Sequence, residues 1–226
     1  ACLVGSEMCI RDRRPSVPEK QEAHHHARLL LRFRLRAHRG KETPVKLLIA
    51  SDLHGAAPAV RALVDRIEAE APDRIVLLGD LLYHGPRNDL PEGYAPKEAI
   101  ALLNGLAKRI VAVRGNCDAE VDQMVLDFPC MADYALVEAD GHVLYLSHGH
   151  LPGKSPDDPP TLAPGSAFLS GHTHAKTLDE RDGVLFVNPG STSIPKDGSA
   201  SYAVYEHGAF ILKDLDGNTL REGGWE

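Results

Sequence analysis

Three short apolar runs each break off into polar residues, and stretches of helical spacing separate them. Lys46-Leu-Leu-Ile-Ala-Ser51 ends in Asp52-Leu-His54-Gly55, Arg74-Ile-Val-Leu-Leu78 ends in Gly79-Asp80, and Ile110-Val-Ala-Val113 runs on to Asn116. Between them, Ala57–Ala71 places Val60, Leu63, Val64 and Ile67 on one face and stops at Pro72-Asp73, while Pro96–Arg109 turns Ile100, Leu102, Leu103 and Leu106 inward. Strand, helix, strand, helix, strand with short joints dictates right-handed crossovers and a mainly parallel sheet.

Downstream the period changes. Ala135–Ala139, Val143–Ser147, Ala167–Ser170, Val184–Val187, Ser201–Glu206 and Ala209–Leu212 alternate between Gly, Asp and Pro turns, which predicts antiparallel strands in a second sheet. The expected fold is α/β: two sheets face to face, flanked by helices (αββα), spanning residues 45–226.

Charge divides the chain near the same boundary. The first 46 residues carry 11 Lys/Arg against 5 Asp/Glu, and residues 47–226 carry 14 against 27. An acidic globular part argues against bulk nucleic-acid binding and suits carboxylates gathered around cations. No run approaches the ~18 apolar residues of a membrane span, and no uninterrupted apolar segment near the start reads as a secretory signal. A cytoplasmic location with no membrane partner is the expectation. The four cysteines form no CxxC pair, so neither a disulfide scaffold nor a zinc knot is indicated. Residues 2–12, CLVGSEMCIRD, resemble a translated sequencing adapter, and His24 to His26 sit in a polar arm. Residues 1–44 therefore read as an extension, artefactual or disordered, that contributes little to stability or activity.

Every strand of the first group, and two of the second, runs into the same kind of side chain: Asp52 and His54, Asp80, Asn116, His148 and His150, His172 and His174. Taken singly, Asp52 and Asp80 read equally well as helix caps, Asn116 as a turn former and His148 as a core histidine. Ligands of open α/β sheets bind outside the carboxyl ends of strands, so these residues are expected on one rim. His150 aside, two carboxylates, four imidazoles and one amide, with no thiolate, form a donor set for two divalent ions.

Asp52-Leu-His54, Gly79-Asp80, Gly115-Asn116-Cys117-Asp118, His148-Gly-His150 and Gly171-His-Thr-His174 resemble, in order, the motif blocks of the calcineurin-like metallophosphoesterases. His84-Gly-Pro-Arg-Asn88, Leu90–Pro96, Arg114–Met124 and Asn188-Pro-Gly-Ser191 extend the resemblance to the bacterial YfcE-type phosphodiesterases, over residues 45–215. It implies a two-sheet metallophosphoesterase sandwich, hydrolysis of a small phosphodiester, two divalent ions with manganese preferred, and a homo-oligomer. It further implies that Asp52, His54 and His174 hold one ion and Asn116, His148 and His172 the other. Asp80 would bridge them, Asn116 would also orient phosphate, and a hydroxide shared by the ions would attack phosphorus.

His150 reads either as a contact to substrate or ligands or as part of a turn. Arg87 reads as a phosphate clamp or a solvated loop residue, and stays outside the assigned set. Many metallophosphoesterases carry His after the motif Asn, where this chain has Cys117, so proton delivery to the leaving group stays open between Cys117, His150 and water. A non-catalytic scaffold, like the retromer subunit of this fold, and a phosphomonoesterase are the alternative functions. The filled ligand positions weigh against the scaffold.

Overall fold

A computed structural model of the chain describes residues 44–225 and the backbone of residues 32–34. The readings made for the rest of the extension, including Cys2, Cys9 and His24 to His26, lie outside the described residues. In chain order the strands are β1 (Arg32–Arg34), β2 (Leu47–Ala50), β3 (Arg74–Leu77), β4 (Ile110–Ala112), β5 (Tyr134–Ala139) and β6 (His142–Ser147). They continue with β7 (Ala167–Leu169), β8 (Thr177–Arg181), β9 (Val184–Asn188), β10 (Ser201–Glu206), β11 (Ala209–Asp214) and β12 (Thr219–Gly224). The helices are α1 (Ala57–Glu70), α2 (Pro96–Asn104) and α3 (Glu120–Val125).

The strands form two six-stranded sheets, ordered β12-β11-β10-β2-β3-β4 and β1-β5-β6-β7-β9-β8. Side-chain alternation assigns each face. Leu47, Ile49, Val76, Val111, Ala203 and Phe210 point from the first sheet into the space between the sheets, where Val137, Leu144, Leu146, Leu169, Leu185 and Val187 meet them. The opposite face of the first sheet, with Leu48, Ala50, Ile75, Leu77, Tyr202 and Val204, is closed by Val60, Leu63 and Ile67 of α1 and by Ala99 and Leu103 of α2. α1 is capped by Ala71, which takes a left-handed backbone (φ 48°) and whose N–H donates to the Ile67 carbonyl. The outer face of the second sheet carries Tyr145, Phe168, Val184 and Phe186, covered in part by Leu162 from the loop after β6. Among the described residues the helical cover is therefore one-sided.

The second half of the chain divides differently from the expectation. β10 to β12 do not join the second sheet: β10 pairs antiparallel with β2 and extends the first. In the second sheet β6, β7 and β9 run parallel rather than antiparallel. The long segment 148–166 carries the chain back across the sheet, and the β8–β9 hairpin reverses it a second time, so alternating apolar residues alone could not fix direction. The second helix is also shorter than its periodicity suggests. It stops at Asn104, Gly105 follows, and Ala107–Arg109 is a 3₁₀ turn. β1 pairs parallel with β5.

Two parallel triplets, β2-β3-β4 and β6-β7-β9, thus end on the same rim of the sandwich. The loops leaving those ends build the site.

Candidate metal centre

The backbone at the rim is sharply bent. Asp52, His54, Asp80, His172 and His174 have φ of 55°, 46°, 54°, 68° and 59°, five of nine non-glycine residues with positive φ among those described. Left-handed backbone costs an L-residue roughly 1–2 kcal/mol, less for Asp and His, and such strain gathers where side chains must be aimed. The ends of β2 and β3 are stitched together by Asp52 N–H to Gly79 O (3.1 Å) and His54 N–H to Asp80 O (2.9 Å). Gly115 and Gly171 leave room for this: a Cβ at Gly115 would overlap Asp80 Oδ1, and one at Gly171 would overlap Ser51 Oγ and crowd Asp52 Oδ2.

Several motif residues act on this backbone rather than on the centre itself. Asp118 accepts the N–H groups of Asp80 (2.8 Å), Leu81 (2.8 Å) and Gly115 (2.7 Å). Its burial pushes its carboxyl up to about 6 despite those donors, with the charge of Asp80 adding to the rise. Asn188 donates to Gly171 O (2.7 Å) and Thr173 Oγ1 (3.1 Å), fixing the turn that carries both histidines. Ser191 and Ser193 hydroxyls both donate to the Asp52 carbonyl, at 2.8 and 2.9 Å. The motif spacing could not reveal these roles, because each depends on a partner distant in sequence.

Three imidazoles are fixed in one tautomer. His54, His148 and His174 place Nδ1 at 2.8, 2.7 and 3.0 Å from the carbonyls of Tyr83, Leu78 and Ile194. A carbonyl only accepts, so each Nδ1 carries the proton and each Nε2 of a neutral ring is a lone pair facing inward. His54 Nε2 and His174 Nε2 lie 3.2 Å apart, and His148 Nε2 lies 3.2 Å from Asn116 Oδ1. With the rings neutral, both contacts bring acceptor against acceptor, and a proton or a metal ion at Nε2 relieves them.

The carboxylates sharpen the demand for a cation. Asp52 Oδ2 accepts the His172 N–H at 3.0 Å, while the fully buried Oδ1 has no hydrogen-bond donor and lies 3.1 Å from His174 Nε2. Asp80 Oδ1 accepts the Cys117 N–H at 2.8 Å, and its Oδ2 lies 3.8 Å from His54 Nε2 and 3.5 Å from His148 Nε2. Desolvation opposes protonation of His148, but its hydrogen bond to Asp80 and the charges of Asp52 and Asp80 outweigh it and push the ring up to about 9. A buried nest of lone pairs and an orphaned carboxylate oxygen is a site that attracts positive charge, and its donors fit divalent metal ions.

The donors gather as Asp52, His54 and His174 in one group and Asp52, Asp80 and His148 in another, with Cys117 also near His54 and Asp80. Asn116 joins the second group through His148. His172 stands further out, its partly buried ring 5.1 Å from that of His148. His150 is adjacent to both, and its buried Nδ1 has no partner. Burial, followed by the neighbouring His148 and His172, lowers its ring to about 4, so it is neutral at pH 7.

A cleft of about 360 Å³ opens over Asp80, Asn116 and Cys117, with Arg87 and Lys196 on its walls. Arg87, left outside the assigned set on sequence grounds, does reach the site. Lys196 had no motif to mark it. Burial and the charge of Asp80 push the Cys117 thiol well above its ordinary value.

The calcineurin-like phosphoesterase superfamily domain profile matches residues 45–208. The phosphodiesterase YfcE of Escherichia coli K12 is 44% identical over 177 residues, 78% of this chain and 95% of its own length. A solved structure of YfcE, a phosphoesterase from E. coli, superposes with a TM-score of 0.77 at 41% identity, covering 80% of this chain and all (100%) of that one. Zinc-complexed Vps29 from Entamoeba histolytica shares the fold, with a TM-score of 0.55 at 20% identity over 80% of this chain and 100% of that one. Profile, sequence and fold agree with the rim geometry: the chain belongs to the calcineurin-like phosphoesterase superfamily.

Proposed function

We propose that this protein is a metal-dependent phosphodiesterase acting on small phosphodiesters through a dinuclear centre at the rim. The observation that carries the reading is the inward set of Nε2 lone pairs around the unpartnered Asp52 Oδ1. In this reading Asp52, His54 and His174 would hold one ion, Asn116, His148 and His172 would hold the other, and Asp80 would serve both. The name of the similar YfcE supplies the diester chemistry. When bound, two divalent ions would bring the pKa of a water toward neutrality and offset charge on the phosphoryl oxygens. Oxygen and imidazole donors suit manganese.

The chain's own residues prepare the rest. Backbone carbonyls hold three rings with Nε2 inward, so no tautomeric rearrangement precedes binding. Asn116, at the mouth of the cleft, orients phosphate, and Arg87 and Lys196 attract its anionic oxygens. Cys117 is the one thiol lining the cleft, and burial and the charge of Asp80 push it well above its ordinary value, which favours water as the attacking group.

No helix among the described residues is long and apolar enough to cross a membrane. A cytoplasmic location, supported by the unpaired Cys117 and Cys130, belongs to the same proposal, as do assembly into a homo-oligomer and the absence of bulk nucleic-acid binding. Turnover of bis(p-nitrophenyl) phosphate against p-nitrophenyl phosphate by manganese-loaded protein tests the reading. Diester hydrolysis exceeding monoester hydrolysis supports it; the reverse order would assign a monoesterase, and no turnover of either would favour a scaffold.

A further inference from the structure

A second cavity, of about 370 Å³, lies on the other side of His172 and Thr173. Those two residues also line the cleft, so the two spaces share a wall beside the candidate metal donors. The second cavity sits against the outer face of the second sheet, where no helix packs among the described residues. Ser155 and Asp157 border it from the loop after β6, Thr177 and Arg181 from β8, and Phe186 from β9. The Arg181 guanidinium lies over the Phe186 ring at 4.5 Å and is held there by a hydrogen bond to Pro156 O at 3.1 Å. The buried Nδ1 of His150, without a partner in the fold, belongs to the same wall.

A phosphodiester has two arms, and hydrolysis treats them unequally. Water adds to phosphorus, the P–O bond to one arm breaks and that oxygen departs with negative charge or takes up a proton, while the other arm stays on the product monoester. Developing negative charge belongs beside Arg87 and Lys196, so the cleft suits the departing arm. The second cavity offers a planar cation stacked on an aromatic ring, hydroxyls and an imidazole edge, and room for more than one ring. We propose that this cavity is the binding site for the retained arm of the diester, and that it selects a planar aromatic or heteroaromatic group.

The inference rests on the phosphodiesterase reading and refines it to a substrate class. Two variants test it, Thr177→Trp, which fills the cavity, and Arg181→Ala, which removes its cation. Manganese-loaded proteins are compared on bis(p-nitrophenyl) phosphate and on methyl p-nitrophenyl phosphate, which share a leaving group and differ only in the retained arm. The ratio of kcat/KM for the bis-aryl over the methyl ester is expected to fall about tenfold in both variants. Product inhibition gives a readout independent of turnover chemistry: p-nitrophenyl phosphate should inhibit the unmodified protein more strongly than methyl phosphate, and the variants should lose that preference. Metal content and melting temperature show that each variant is folded and loaded. An unchanged ratio and an unchanged inhibitor preference in folded, loaded variants would overturn the cavity's role while leaving the phosphodiesterase reading intact. Failure of the unmodified protein to turn over either diester would instead refute that reading, and the inference with it.

Discussion

The Nε2 atoms of His54 and His174 face each other at 3.2 Å although each ring has already committed its Nδ1 proton to a backbone carbonyl. Two lone pairs held that close, beside the unpartnered Asp52 Oδ1, repel unless a proton or a metal ion joins them, and a divalent ion supplies the greater charge. Metal binding should therefore be linked to stability. Saturating manganese at about 100 times its Kd is expected to stabilise the fold by about 2.7 kcal/mol per ion, and a chelator should reverse the gain. Differential scanning calorimetry with and without manganese checks this, and an unchanged melting temperature would count against a preformed centre.

The histidine pair after β7 is expected to divide between the two ions. His174 is almost fully buried and approaches Asp52 and His54, whereas the His172 ring lies beside His148. His174→Ala should empty the position defined by Asp52 and His54, and His172→Ala should weaken the other and leave the first occupied. Ion counting on each purified variant decides it; equal, full occupancy in both would contradict the division.

How much of this was visible in the sequence differs between the two halves of the molecule. β2, β3 and β4 could be read because short apolar runs alternate with helical periodicity and each connection is short. The turns at Asp52, Asp80, His148 and His172 could be placed because each follows an apolar strand. β8 and β12 were missed for a physical reason: Thr177–Arg181 turns only Leu178 inward, and Thr219–Gly224 is a largely exposed polar edge. Helix α3 is six residues long, too short for a periodic signal. At the site, donor identities followed from residue type, but the tautomers did not, since the carbonyls of Tyr83, Leu78 and Ile194 lie 29, 70 and 20 residues from their histidines.

Cys117 lines the cleft with its thiol held protonated by burial and the nearby Asp80, and an S–H is a weak donor. An aryl oxide departs with little help, whereas an alkoxide needs a general acid worth about 10²–10⁴ in rate. Rates should therefore fall steeply as the leaving-group pKa rises, and Cys117→Ala should cost little on an aryl diester. A flat dependence on leaving-group pKa in the unmodified protein would show that another group supplies the proton.

Acid stability should reflect Glu70, at the end of α1. Burial pushes its carboxyl up, but Lys213 Nζ at 2.5 Å and Lys46 Nζ at 3.0 Å outweigh that and hold it at about 2, below the 4.5 of a free glutamate. A depressed carboxylate stabilises the fold above its unfolded pKa, and that stability is lost as pH falls from about 4.5 toward 2. Allowing for solvent screening, Glu70→Gln should cost about 1–2 kcal/mol at pH 7. The gap between variant and parent should close on acidification through that window. Urea unfolding at a series of pH values measures it, and a gap independent of pH would show that the ion pairs contribute nothing.

Asp80, the carboxylate proposed to serve both ions, bears most directly on the proposed centre. Asp80 Oδ2 lies between His54 Nε2 and His148 Nε2, at 3.8 and 3.5 Å, so Asp80→Asn removes charge from both cation positions while leaving the strands beneath intact. The decisive measurement is manganese bound per chain, determined together with bis(p-nitrophenyl) phosphate turnover, for the parent and for Asp80→Asn. The account predicts two ions and turnover in the parent, with loss of bound metal and of activity in a variant that stays folded. Two tightly bound ions and undiminished turnover in Asp80→Asn, or full turnover by metal-free parent, would contradict it.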